Sequence, residues 1–285
     1  MLQKVLDKIL FADDTNFLCI NKSLLQLSCS VNEELENINL WFQINKMSLN
    51  TAKSNCILFG KNANKSLSLY IDDKVIQRVS DTKFLGVIID ENLSWKKQID
   101  HVEKKISRGL GILHKLRDLL DSKSLCMLYY SLIYPYLSYC CQSWGNTYKK
   151  RVKRIVSLQK RAVRIIGGLQ YRDHTNDMFV KLSILKFEDI VKVESAIFAY
   201  KGSRELLPNR LQKRYIPRIQ TSSQYKTRNN KIFYENMYKK NYKLMCPSVK
   251  GIKTFNDLPD SIINSTSVKS FKYQLKKYII NTYNC

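Results

Sequence analysis

The sequence predicts an α+β chain, with short strands and one helix up to residue 92, helices almost throughout from residue 93, and a basic region at the C-terminal end. Three observations carry this. Apolar residues come in short runs before residue 92, they recur at three- and four-residue steps after it, and the surplus of positive charge lies in the second part.

The early elements come in order. Lys8 to Phe11 and Asn16 to Ile20 are apolar runs on either side of a turn-like Asp13-Asp14. Leu24, Leu27, Val31, Leu35, Ile38 and Phe42 then fall on one stripe of a helix. Asn55 to Phe59, Leu67 to Ile71 and Phe84 to Ile89 read as further strands, giving a short antiparallel sheet plus one helix. Beyond them the periods are helical over Leu93 to Leu120, Ser122 to Tyr134, Lys149 to Ile166, Phe187 to Tyr200 and Ser267 to Ile280. Gly167-Gly168 and the stretch from Pro208 to Asn230 read as connectors.

With 285 residues the chain can bury a sizeable core in two or three lobes. Its 44% hydrophobic and 25% charged residues exclude wholesale disorder. The formal charge of +24 is unevenly spread: the first 100 residues carry 12 basic and 12 acidic side chains, leaving 36 of the 48 basic and only 12 of the 24 acidic for the rest. A positive field confined to one part of a chain favours a polyanionic partner, with nucleic acid ahead of an anionic membrane or an acidic protein. The eight cysteines include no Cys-x-x-Cys pair and no His stands at metal-ligand spacing, which argues against a zinc module. The start MLQKVLDKIL has neither a long apolar core nor a small-residue cleavage site, so an intracellular, non-secreted chain with reduced thiols is expected. Ser124 to Tyr148 carry no charge, yet Pro135 and six tyrosines make this a buried helical hairpin rather than a membrane span.

Two local patterns bear on chemistry. Phe11-Ala12-Asp13-Asp14 sets adjacent carboxylates at a hairpin tip, where they offer hard oxygen ligands to Mg²⁺. Asp pairs are also ordinary turn formers, and Asp72-Asp73 illustrates that plainer use. On a helix from Lys149 to Ile166, Lys150, Arg154, Ser157, Arg161 and Arg164 share one narrow stripe, with Ile155, Leu158, Ala162 and Ile166 around the other side. The stripe is either a solvated basic face or a phosphate-binding one, and the charge imbalance around it favours phosphate. Lys239-Lys240 with Tyr238 and Tyr242 would add base stacking.

The order of several motifs resembles the reverse transcriptases of non-LTR retrotransposons, the LINE-type and especially jockey-like elements. Phe11-Ala12-Asp13-Asp14-Thr15 is similar to that family's second catalytic carboxylate motif. Leu49-Asn50-Thr51-Ala52-Lys53-Ser54 with Ile57-Leu58-Phe59 resembles the next palm motif. Lys83-Phe84-Leu85-Gly86-Val87 and Leu93-Ser94-Trp95 resemble the strand and turn that hold the primer end, with Gln98 where the family often has His. Tyr129 to Trp144, Leu158 to Arg164 and Phe255-Asn256-Asp257-Leu258-Pro259 extend the likeness through the helical part.

The resemblance implies a partial polymerase palm over residues 1–92, a helical thumb-like domain over 93–200 and a basic C-terminal region over 201–285. It implies Asp13, Asp14 and Lys53 as catalytic residues and Mg²⁺ on Asp13 and Asp14. Phe84, Leu85 and Gly86, with Lys150, Arg154, Arg161 and Arg164, would contact an RNA template and a DNA primer, and the parent enzyme would take dNTP. The family's fingers and first catalytic Asp precede the Asp-Asp hairpin by a distance the ten residues before Phe11 do not supply. The expectation is therefore a reverse transcriptase fragment that does not extend a primer alone. The alternatives are a nucleic-acid-binding module that uses the palm remnant as scaffold, or a decayed transposon copy.

Overall fold

The computed structural model describes residues 6–60, 67–216, 232–233, 235 and 245–284. The chain divides into two compact units, Met1–Lys97 and Gln98–Cys285.

In the first unit, β1 (Leu6–Phe11) and β2 (Asp14–Cys19) pair antiparallel, with Phe11 opposite Asp14 and Leu6 opposite Cys19. Helix α1 (Leu24–Ile44) follows and buries Leu35 and Ile38. Its Asn32 stitches the helix to the next strands: Nδ2 donates to the Ser68 carbonyl at 3.3 Å, and Oδ1 accepts from the Tyr70 N–H at 3.0 Å. Leu35, Leu69, Ile71 and Ile76 form the small core beneath it. Then β3 (Asn55–Cys56) pairs parallel with β6 (Gln77–Arg78), and β4 (Tyr70–Ile71) pairs antiparallel with β5 (Lys74–Val75). The last pair, also antiparallel, is β7 (Asp81–Phe84) with β8 (Val87–Asp90).

The α+β mixture is as expected, but among the described residues the strands make four separate two-stranded pairs and not one short antiparallel sheet. Each antiparallel pair closes through a two-residue turn, so its pairing costs little loop entropy, and strands as short as two residues leave few groups to recruit a neighbour. The expected strand from Phe84 to Ile89 is likewise a hairpin. The backbone reverses at Leu85 (φ +43°) and Gly86 (φ +85°), the succession of positive φ that a tight turn of matching twist requires. The apolar run continues through Leu85 and hides that turn from a pattern reading.

Helix α2 (Lys96–Leu116) begins later than the expected Leu93 because the Asp90 carboxylate holds the backbone before it. Oδ1 accepts from the N–H of Asn92 and Ser94, Oδ2 accepts from that of Trp95, and Leu93 and Trp95 are left at positive φ. In the second unit α2 buries Ile99, Val102, Ile106, Leu110 and Leu113 at helical steps. Next come α3 (Ser122–Leu132), capped by Asp121 on the Ser124 N–H, α4 (Tyr134–Ser138) and α5 (Cys141–Trp144). Tyr129, Ile133, Leu137, Cys141 and Trp144 are fully buried, so the uncharged segment is core. No described helix is long and apolar enough to cross a membrane.

Helix α6 (Lys149–Gly167) ends at Gly168, whose φ of +66° suits the left-handed cap that stops it. The short α7 (Asn176–Lys181) precedes α8 (Phe187–Ser203), which buries residues on every side and so lies within the core. After α9 (Asn209–Gln212), helices α10 (Pro247–Asn256) and α12 (Val268–Asn281) pack back onto α8, and the short α11 (Asp260–Ile263) between them packs on α12. The Tyr200 ring stacks on Phe271 at 4.4 Å, edges Phe255 at 6.5 Å, and donates its hydroxyl to the Ser265 carbonyl at 2.6 Å. Residues on both sides of position 200 thus share one core. The short helices α7, α10 and α11 lack the long apolar stripe that would have announced them.

Candidate functional site

The β1–β2 hairpin turns through Ala12 and Asp13, with Ala12 at φ +50°, and Asp14 opens β2 opposite Phe11. Both carboxylates are exposed, and neither has a side-chain hydrogen bond or ion pair among the described residues. The Asp72-Asp73 pair sits at the matching turn of β4–β5 but is committed to structure, since Asp72 Oδ1 accepts from Asn39 Nδ2 at 2.5 Å. That difference in engagement separates two dipeptides of identical sequence. Magnesium is held through one or two carboxylates plus waters and phosphates, so Asp13 and Asp14 fit a share of one such site. Among the described residues no third Asp, Glu, His or Cys joins them in a metal-ligating group. Asp7 cannot serve: it lies opposite Leu18, four residues along β2 from Asp14, or about 13 Å away at strand spacing.

Lys53 is exposed in a turn shaped by Asn50, whose Oδ1 accepts the Lys53 N–H at 3.2 Å. No hydrogen bond or ion pair brings Lys53 to Asp13 or Asp14 among the described residues, and Asn50 acts here on the loop itself. Phe84, Leu85 and Gly86 form the β7–β8 turn. At the other end of that hairpin Lys97 pairs with Asp81; this contact, with the Ser80 hydroxyl, holds the Asp81 carboxyl below its usual range. The first unit therefore presents the three expected segments on separate turns.

In the second unit, α6 carries eight Lys or Arg and no Asp or Glu in 19 residues. Val152, Ile155, Gln159, Ala162, Val163 and Ile166 are buried along one arc, while Lys150, Arg154, Ser157 and Arg161 are exposed on the opposite one. Two of the expected phosphate contacts have structural duties. Arg154 Nε meets Glu103 at 3.3 Å, covering a carboxylate that is only 12% exposed. Burial pushes the Glu103 carboxyl up, and Arg154 pulls it partly back. Arg164 is half-buried and donates from Nε to the Asp173 carbonyl at 3.0 Å. Lys150 and Arg161 have no ion pair among the described residues. Tyr238, Lys239, Lys240 and Tyr242 lie outside the described residues.

Sequence reasoning missed Gln159 and instead placed Leu158, which is half-buried, on the inner arc. Gln159 is 1% exposed; Nε2 donates to Tyr129 Oη and to the Leu185 carbonyl, both at 2.9 Å, and Oε1 accepts from the Phe187 N–H at 2.8 Å. It ties α3, α6 and the start of α8 together. A polar residue on the apolar arc of a helix was the available signal, since a buried amide needs partners.

Comparison with known proteins adds to this geometry. The chain is 24% identical over 208 residues to the RNA-directed DNA polymerase from mobile element jockey of Drosophila melanogaster, covering 72% of this chain and 22% of that protein. It is 26% identical over 161 residues to the probable RNA-directed DNA polymerase from transposon X-element of the same species, covering 54% and 18%. The jockey polymerase of Drosophila funebris is 22% identical over 221 residues, covering 76% and 24%. The chain thus resembles polymerases of jockey and other non-LTR transposons, and spans less than a quarter of the length of these relatives. No protein-family model matches it, and no solved structure does.

Proposed function

We propose that this chain is a segment of an RNA-directed DNA polymerase of the non-LTR retrotransposon type, a palm remnant over residues 1–92 joined to a thumb-like helical region over 93–200 and a basic region over 201–285. Asp13 and Asp14 contribute two carboxylates toward Mg²⁺, Lys53 and the Phe84-Leu85-Gly86 turn face the nucleotide and primer end, and the exposed arc of α6 holds phosphates of an RNA template and DNA primer. The observation that carries this reading is the pair of exposed carboxylates on a tight turn, unpartnered among the described residues, in a chain similar over half to three quarters of its length to such polymerases. When bound, Mg²⁺ neutralises charge on the triphosphate and activates the attacking primer hydroxyl. Two ions need carboxylates from two segments, so the isolated chain binds nucleic acid without extending a primer.

Two measurements test this. Mn²⁺ used as a paramagnetic probe is expected to broaden the amide resonances around residues 11–16, and Asp13→Asn with Asp14→Asn to abolish that broadening. Unlocalised broadening would remove the metal role. Incubation with Mg²⁺, dNTPs and a DNA-primed RNA template is expected to give no extension, and extension lost in Asp13→Asn would show the isolated chain to be a working polymerase. A specific observation also favours a binding role that needs no metal: α6 keeps its acid-free basic arc whatever happens at the hairpin. Template–primer binding should therefore survive both Asp substitutions and weaken steeply with salt.

A further inference from the structure

The turn that follows α6 carries a feature that phosphate binding leaves unused. Beyond Gly168 the chain folds back, and three bonds fasten it: Arg164 Nε donates to the Asp173 carbonyl at 3.0 Å, the Gln170 N–H donates to Asp173 Oδ2 at 2.7 Å, and the Asp173 N–H donates to the Gln170 carbonyl at 3.2 Å. Tyr171 stands at the tip of this fastened turn and is 83% exposed. A ring so exposed adds almost nothing to the core, where aromatic side chains ordinarily contribute through burial. Arg164 belongs to the basic stripe of α6, so the turn lies at the C-terminal end of that stripe, and Arg172, next in the chain and exposed, adds a further cation to the turn.

We propose that the exposed arc of α6 and the 169–173 turn together form a strip for single-stranded RNA, in which Tyr171 stacks on a base while Lys150 and Arg161 hold phosphates. This rests on the nucleic-acid reading above and names the form of nucleic acid taken. Cations that track a backbone, combined with an aromatic platform, are what an unpaired strand needs; a duplex keeps its base faces stacked inside and cannot use the ring. The turn's hydrogen bonds fix the backbone that carries the ring before the strand arrives, so only the ring's own rotation remains to be ordered on stacking. Helix α6 is about 28 Å long at 1.5 Å per residue, room for several nucleotides of extended strand and within the roughly 4–16 nucleotide sites common for such surfaces.

The test compares fluorescence anisotropy of the purified chain with a fluorescein-labelled oligo-uridine 12-mer and with a blunt RNA–DNA duplex, for the unaltered protein, Tyr171→Ala, Tyr171→Phe, and Lys150→Glu with Arg161→Glu. Tyr171→Ala is expected to weaken binding to the single strand about 5- to 150-fold, the equivalent of the roughly 1–3 kcal/mol of one stacked base, and to change duplex binding less than twofold. Tyr171→Phe should bind as the unaltered protein does, and the double charge reversal should weaken both ligands. A single strand bound equally by Tyr171→Ala and the unaltered protein, with duplex binding intact, overturns this inference and leaves the proposed function standing. Failure to bind either ligand overturns both.

Discussion

Replacing Gln159 by Leu tests how the helical unit is held together. The side chain is 1% exposed and satisfies three groups from other segments: the Tyr129 hydroxyl, the Leu185 carbonyl and the Phe187 N–H. The last matters most, because Phe187 opens α8 and its N–H has no partner within that helix. Leu fills similar space and offers no polar atom. Each buried group left unsatisfied costs about 1–3 kcal/mol, and partial relaxation brings the total to about 3–6 kcal/mol. Set against a typical domain stability of about 5–15 kcal/mol, that is a large fraction. With a urea slope near 2 kcal/mol/M the midpoint should fall by about 1.5–3 M. Trp144 reports the transition, being fully buried and stacked on Phe187 at 5.5 Å; Trp41→Phe and Trp95→Phe silence the first unit. Lys160→Ala, exposed on the adjacent position, serves as control and should shift the midpoint by less than about 0.3 M. A shift under about 0.5 M for Gln159→Leu would refute the reasoning, since water would then be supplying the lost bonds.

Two further outcomes follow from packing and charge. A Cβ at Gly251 on α10 would run into the Ser195 backbone carbonyl of α8, whereas one at Gly111 meets nothing within 4 Å. Gly251→Ala should therefore cost about 1–3 kcal/mol in urea unfolding, while Gly111→Ala should be neutral or stabilise by up to about 1 kcal/mol; equal effects would contradict the close approach of the two helices. Glu103 has its folded pKa raised, so the stability it contributes is fully present below its unfolded pKa and is lost as pH rises through the folded value. Arg154→Met removes the opposing charge and should destabilise more near pH 7 than near pH 4, around the ordinary glutamate pKa of about 4.3. Glu103→Gln in the same background should erase that difference, and a loss independent of pH would show that Arg154 does not act through Glu103.

How much was legible differs from element to element. The long helices were readable because an amphipathic stripe is a local property: α6 ends within one residue of the expected Ile166, and its charge-free inner arc and acid-free outer arc are written in the spacing of its residues. The tight turn at Asp13 was equally local. The hairpin at Leu85-Gly86 was not, because its apolar run passes through the reversal without a break in pattern. Nor could spacing say that Arg154 covers Glu103, 51 residues earlier, or that Arg164 anchors the turn bearing Tyr171.

By itself, then, the sequence determined where the long helices run, which face of α6 is basic, and that two carboxylates sit together at a turn. These depend on backbone preference and on the 3.6-residue period, both set by near neighbours. Only the tertiary structure decided which polar side chains are engaged and which are left to solvent. Asp72 is taken by Asn39 while Asp13 and Asp14 remain without a side-chain partner among the described residues, and Gln159 is drawn into the core while Lys160 beside it is not. The reason is that a hydrogen bond needs its partner within about 3 Å, and for these residues the partners come from distant parts of the chain, where only the folded backbone sets the distance.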